Sequence, residues 1–270
     1  MRCEAITVGI AVGLCLPLVA GCGGDGGPGF VWARHIVFDS DWPGSMGSSD
    51  IRLYDCRSRA MVPLPGLNSA SEDSSPTLSA NGRYISFESL RPGLAGGYDV
   101  YLYDRVAGAL LLLLGLNTAA DEVGPSVSED GRYIAFSSLR LGGVGLYDVY
   151  VYDRQSTSLV GLPGLNSASN DTEPAISPDG QYIAFDSDRP GGAGSLDIYL
   201  YDRLLSSYVA LPGLNSISAD ARPAFSGDGR YMALESDRPG GVGMPDVYLY
   251  DRSSSSLVAL PGLNSSWNDR

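Results

Sequence analysis

The sequence predicts an all-β domain, a five-bladed β-propeller of four-stranded antiparallel blades on a 49-residue repeat. Three observations predict it. A motif recurs at constant spacing without insertion or deletion, each copy holds four strand-like runs separated by turn residues, and those runs are apolar on both faces. The Asp of Tyr-Asp-Arg stands at 104, 153, 202 and 251, and a degenerate first copy, Tyr54-Asp55-Cys56, lies 49 residues ahead. The Gly of the turn (82, 131, 180, 229) and the Asn of Gly-Leu-Asn (68, 117, 166, 215, 264) keep the same interval.

The fourth copy shows the elements in order. A short first strand at 174–177 leads into Asp179-Gly180, a pair that accepts the positive φ of a tight turn. A second strand follows at 182–187, then a Gly-rich loop at 189–194, a third strand at 197–202 and a fourth at 208–211, ended by Pro212-Gly213. In the third strand Ile198 and Leu200 point one way, Tyr199 and Tyr201 the other. A sheet with one wet face alternates apolar and polar residues. Two apolar faces require a neighbour on each side, and a lone blade could bury neither. The repeats are expected at about 34–82, 83–131, 132–180, 181–229 and 230–270, within a domain covering 30–270. For blade one, Pro28-Gly29-Phe30-Val31-Trp32-Ala33 is expected to supply the first strand and close a monomeric ring. The rival is an open arc that closes by dimerisation.

Ahead of this domain, Arg2 and an apolar run from Ile6 to Ala20 read as a signal peptide over residues 1–21, too short for a confident membrane-spanning helix. It ends in Leu18-Val19-Ala20-Gly21-Cys22, which resembles the lipobox of bacterial lipoproteins. The resemblance implies a diacylated Cys22 as the new N-terminus, and Gly23 after it implies passage to the outer membrane. Residues 22–29 read as a Gly-rich tether. Removal of Cys3 and Cys15 and lipidation of Cys22 leave Cys56 alone, so no intramolecular disulfide and no CxxC metal site is expected.

The net charge is −13, and all 18 basic residues are Arg. Such a chain repels nucleic acid at long range. Gly 35 and Pro 17 suit many turns between short strands.

The run Ser-Pro-Asp-Gly (177–180), then Tyr-Ile-Ala-Phe-Asp-Ser-Asp-Arg (182–189), then Asp-Ile-Tyr-Leu-Tyr-Asp (197–202) resembles the TolB-type, WD-like propeller repeat over about residues 30 to 270. The resemblance implies a propeller. It implies no single function, since such repeats serve as partner-binding platforms, as accessory domains of peptidases and in some lyases. TolB itself carries an additional N-terminal α/β domain that this sequence does not contain, so its translocation role is not carried over.

Connectivity puts the loops between second and third strands, and those between fourth and first, on one face; the Asp-Gly and Tyr-Asp-Arg turns share the other. The first face is expected to carry Asp39, Asp41, Glu88, Asp186, Asp188, Glu235 and Asp237, with the loop series Asp73, Glu122, Asp171, Asp220 and Asp269. Arg91, Arg140, Arg189 and Arg238 offset part of this charge. The acids could hold a hard cation such as calcium or a basic partner. Because they recur, the favoured reading is that they cap turns and pair with the Arg of the next blade. Asp104, Asp153, Asp202 and Asp251 are read as hairpin closures and their tyrosines as inter-blade filler. His35 takes the slot of Tyr84, Tyr133, Tyr182 and Tyr231 and is read as packing. With no Lys, one His and no Gly-x-Ser-x-Gly elbow, no catalytic residue and no cofactor is expected. The clearest departures from the repeat are Asp41-Trp42, Leu90, Leu139 and Met244-Pro245.

The functional expectation is a lipid-anchored scaffold of the cell envelope, binding another envelope protein or a glycan and touching membrane only through its anchor. The alternatives are a carbohydrate-active hydrolase or lyase using carboxylates at the central channel, and a purely structural repeat protein. A partner-binding platform should show an exposed patch of Trp, Tyr or Leu on one face.

Overall fold

The computed structural model describes residues 35–92, 96–243 and 245–266. They form five antiparallel sheets and no helix, the blades of an all-β five-bladed propeller. Blade one holds β1 (His35–Ser40), β2 (Asp50–Asp55) and β3 (Ala60–Val62). Blade two holds β4 (Asp73–Leu78), β5 (Tyr84–Ser89), β6 (Asp99–Asp104) and β7 (Ala109–Leu111). Blade three holds β8 (Glu122–Val127), β9 (Tyr133–Ser138), β10 (Asp148–Asp153) and β11 (Ser158–Leu159). Blade four holds β12 (Asp171–Ile176), β13 (Tyr182–Ser187), β14 (Asp197–Asp202) and β15 (Ser207–Val209). Blade five holds β16 (Asp220–Phe225), β17 (Tyr231–Ser236), β18 (Asp246–Asp251) and β19 (Ser256–Val258). Each sheet pairs its strands in sequence order. The first strand expected for blade one at 28–33, the signal peptide, Cys22 and Asp269 lie outside the described residues.

The middle strands fall where their β-branched and aromatic residues predict, and they are buried on both faces. Ile183, Ala184 and Phe185 are all 0% exposed. Four apolar clusters fill the spaces between consecutive blades. The one between blades three and four joins Val149, Val151 and Leu165 to Ile183, Phe185 and Tyr201. A buried ring of this kind contributes about 2–3 kcal/mol. The third-strand tyrosines cross these interfaces. Tyr103, Tyr152, Tyr201 and Tyr250 donate their hydroxyls to the carbonyls of Pro65, Leu114, Pro163 and Pro212 of the preceding blade, at 2.7–3.1 Å. Tyr54, fifth in the series, is half-buried, and among the described residues its hydroxyl makes no such bond.

The first strands, which line the central channel, begin three residues earlier than the sequence reading placed them. Asp171 and Thr172 pair with Ser187 and Asp186; the register then shifts and resumes at Ala175. Pro174 has no N–H to give, so the ladder breaks there. The residue before it bulges with a left-handed backbone, and the same bulge recurs at Ser75, Gly124, Glu173 and Arg222, with φ of 50°, 59°, 48° and 51°. On the face of the short turns, the hairpins after the first strands meet around the axis. Asn81 donates to the Glu129 carbonyl at 2.7 Å, and Glu129 N–H to the Pro178 carbonyl at 2.9 Å. A Cβ on Gly229 would lie 3.6 Å from Pro178, and one on Gly227 3.7 Å from the Ala80 methyl.

Candidate functional site

Most residues singled out in the sequence are absorbed by the frame. Asp73, Glu122, Asp171 and Asp220 are not solvated loop acids. They open the first strands, are 0% exposed, and hold Arg91, Arg140, Arg189 and Arg238, for example at 2.6 Å for Arg189–Asp171 and 2.7 Å for Arg238–Asp220. The pairing is within one blade, not to the next as expected, because the Arg follows the second strand and folds back over the first. Arg189 also donates to the Leu165 carbonyl of the preceding blade at 3.0 Å, while its guanidinium lies over the Tyr199 ring of its own blade.

On the opposite face, Asp104, Asp153 and Asp251 close their hairpins by accepting the N–H two residues on, and each binds an Arg (83, 132, 230) through both carboxylate oxygens. These charge-assisted bonds hold Asp104 down at about 2. The Arg of Tyr-Asp-Arg stacks on the preceding blade, Arg203 over Tyr133 at 4.2 Å and Arg252 over Tyr182 at 4.1 Å. His35 meets Arg105 at the same place through a hydrogen bond to Nε2 at 3.3 Å instead of a ring stack, and lies 3.7 Å from the Asp55 carboxylate of its own blade, so its slot is polar where the sequence reading expected packing. Cys56 stands in the Arg slot of blade one and is half-buried.

The carboxylates on the fifth residue of the second strands line the channel, and Glu88 and Asp186 act as clips between blades. Glu88 accepts Gly124 N–H of the next blade at 2.7 Å and the Ser75 hydroxyl at 2.9 Å. Asp186 accepts Arg222 N–H at 3.0 Å and the Thr172 hydroxyl at 2.5 Å. Asp39 accepts the Ser49 hydroxyl at 3.1 Å. Burial raises the pKa of all three, that of Asp186 to about 7. Blade three breaks the series. Its residue is Ser137, 1% exposed, and the hydroxyl has no partner among the described residues.

The bulge itself breaks the repeat more sharply: Ser75, Gly124, Glu173 and Arg222 share one position and one backbone conformation but no chemistry. Left-handed non-glycine residues are strained by about 1–3 kcal/mol each and cluster at functional sites. Glu173 makes no hydrogen bond or ion pair among the described residues, and its carboxylate lies beside the open Cα of Gly124. Desolvation raises its pKa, and the charge of Arg222 opposes the rise. Arg222 is bonded to Glu235 at 3.3 Å. The sequence reading found no asymmetry among the channel acids; the structure shows one at this column. The signal was available: the residue just before the recurring Pro is Ser, Gly, Glu and Arg in successive copies. Among the described residues no three His, Cys, Asp or Glu side chains converge as a metal cage.

The loop face also departs from the repeat. Asp41, Asp188 and Asp237 are exposed there, as expected. Over blades two and three, aliphatic side chains stand in solvent instead: Leu90 at 41%, Leu139 at 42%, Val144 at 65%, Leu146 at 69%, and Leu141 fully exposed.

No protein-family model and no curated protein matches the sequence significantly. Solved structures match in fold. TolB from Acinetobacter baumannii is 23% identical with a TM-score of 0.59, over 78% of this chain and 48% of that one. A TolB from Agrobacterium tumefaciens is 20% identical with a TM-score of 0.60, over 84% and 76%. An oligogalacturonate lyase in complex with manganese is 12% identical with a TM-score of 0.55, over 83% and 61%. This chain thus spans about half of the first. At such identities the likeness is one of architecture, and the chain has a TolB-like β-propeller fold.

Proposed function

We propose that the protein is a binding scaffold of the cell envelope, tethered through a lipidated Cys22, that engages a protein partner on its loop face. One observation carries this: the acids and tyrosines that recur are consumed by the frame, while the residues that break the repeat on this face are exposed Leu and Val side chains. Val106, Leu204 and Leu205 are exposed on the opposite face as well, but on the loop face the exposed side chains of blade three sit close in one loop, Leu141, Val144 and Leu146, and such clustering is the usual mark of a docking surface. The lipobox-like Leu18–Cys22 run and the fold of the TolB structures support the envelope location. The test is affinity capture from detergent-solubilised envelopes, using the Cys22→Ser chain to separate anchoring from binding. A saturable partner retained by the Ser form is the expected result; no specific partner sinks the proposal.

The channel favours a second reading, a carbohydrate-active enzyme. Its support is Glu173, a carboxylate without a bonded partner at a strained, non-repeating position, and the oligogalacturonate lyase among the structures of like fold. Turnover of acidic and neutral polysaccharides by the chain, abolished in Glu173→Gln, would establish it. No turnover by the unaltered chain would remove it.

A further inference from the structure

We infer that the half of the loop face over blades two and three docks a segment that is both apolar and basic, an amphipathic peptide of Leu with Lys or Arg. The inference rests on the scaffold reading and names the partner's chemistry. Three columns of the repeat change together between the halves of this face. After the second strand stand Leu90 and Leu139, where blades four and five have Asp188 and Asp237. Before the third strand stand Tyr98 and Tyr147, against Leu196 and Pro245. Before the first strand stand Glu72 and Asp121, against Asn170 and Ala219.

The structure joins these residues into one surface. Leu90 N–H bonds the Glu72 carbonyl at 3.0 Å. The Tyr98 hydroxyl donates to the Glu72 carboxylate at 3.1 Å, and Tyr98 N–H donates to Asp121 at 3.0 Å. Leu141, Val144 and Leu146 rise from the adjoining loop, which leads into Tyr147. On blades four and five, Ile217 and Val242 are exposed too, but the position after the second strand there is Asp188 and Asp237.

Charge decides the partner's sign. Arg91 and Arg140 are the cations of this region, and both fold inward onto Asp73 and Glu122. Glu72 and Asp121 are held only by neutral donors, so their charge is left for whatever binds. An apolar rim flanked by two uncompensated carboxylates, on a chain of net charge −13 without Lys, complements Leu beside Lys or Arg.

A fluorescent synthetic peptide of Leu and Lys in amphipathic register is the probe, read by anisotropy against the full chain at about 0.05 M and about 0.5 M salt. It should bind saturably, and peptides of Ser with Lys or Leu with Glu should bind at least about tenfold more weakly. The double variant Leu141→Ser, Leu146→Ser should lose about tenfold in affinity with its melting temperature unchanged, both side chains being in solvent. Glu72→Gln should reduce the salt dependence while keeping an acceptor for Tyr98. Asp188→Asn with Asp237→Asn should leave binding as it was. The inference is overturned if the Leu variant binds as well as the unaltered chain, or if the two remote Asp matter as much as Glu72. Should that happen while envelope capture still yields a saturable partner, the scaffold reading stands and the surface lies elsewhere. Should capture fail while the peptide binds, the scaffold reading falls and the surface remains.

Discussion

Asp186→Asn isolates the energetics of the channel acids. Asp186 is 1% exposed and accepts two bonds, from Arg222 N–H and the Thr172 hydroxyl. Burial outweighs both and raises its pKa from 3.8 to about 7, with Glu173 adding to the rise and Arg222 opposing it. The folded carboxyl therefore keeps its proton up to about pH 7, while the unfolded one releases it near pH 3.8. Between those values the folded state holds the extra proton, and stability falls as pH rises. A difference of about 3 pH units at 1.36 kcal/mol each amounts to roughly 4 kcal/mol across that window. Asn removes the titration and can keep both bonds, its Oδ1 accepting Arg222 N–H and its Nδ2 donating to Thr172 Oγ1. Urea midpoints of both proteins from pH 4 to pH 8 provide the assay. The variant should match the unaltered chain near pH 4 and exceed it by about 2–4 kcal/mol at pH 8. Because Asp39, Glu88 and Glu173 are raised too, only the difference between the curves is diagnostic. Parallel curves, or a variant weaker at pH 8, would refute the view that this carboxylate is a buried clip held at a desolvation cost.

Arg189→Met should destabilise by about 3–5 kcal/mol in a thermal melt, because it leaves the Asp171 charge at 0% exposure without its cation, while the Leu165 carbonyl keeps the Tyr208 hydroxyl; a loss under about 1 kcal/mol would contradict it. Cys56→Arg restores the cation that stacks on the preceding blade in later copies. In a closed ring its partner is Tyr231, and the gain should be about 0.5–2 kcal/mol in melting experiments; no gain would mean that blade five does not present that ring to blade one. Gly131 and Gly164 have φ of 71° and 74°, but a Cβ on Gly131 would sit 2.6 Å from the Tyr84 ring, whereas Gly164 has open space. Alanine at 164 should cost about 1 kcal/mol from backbone strain alone. At 131 the cost should be higher by about 1–3 kcal/mol, and equal chemical-denaturation midpoints would show that the blades give way.

The strands were legible in the sequence because their signal is local. Ile183-Ala184-Phe185 and Ile198-Tyr199-Leu200-Tyr201 declare burial on both faces, and the constant 49-residue interval declares stacking. The short first strands were legible only in part. Asp171-Thr172-Glu173 reads as the end of a turn, since the Pro after it hides a strand that bulges and resumes. The same ambiguity placed Asp171 and its equivalents in loops instead of at the start of the first strands. Their burial depends on an Arg 18 residues further on folding back across the blade, and neither local propensity nor hydrophobic period carries that information. Ser137 escaped notice for a related reason: a Ser in a strand is unremarkable until its column is seen to hold Asp or Glu in the other four copies.

Two kinds of column result, and they constrain function differently. Where a frame contact needs one chemistry in every blade, the copies agree, as in Tyr103, Tyr152, Tyr201 and Tyr250, each bonded to a carbonyl of its neighbour. A column escapes that constraint where its side chain leaves the frame, into the channel at Ser75, Gly124, Glu173 and Arg222, or into solvent on the loop face and in the turns after Tyr-Asp-Arg, where Val106, Gln155, Leu204 and Ser253 share a position. The channel column carries strain in its backbone even so, which the fold tolerates because Pro and the register shift demand the bulge whatever the side chain. The strain is therefore a property of the architecture and by itself argues little for catalysis. No such demand operates on the loop face: Asp188 and Asp237 occupy the sites of Leu90 and Leu139 in the same fold. The change to exposed Leu there is free of any structural requirement, and for that reason the loop face, more than the channel, is where a partner's selection is to be sought.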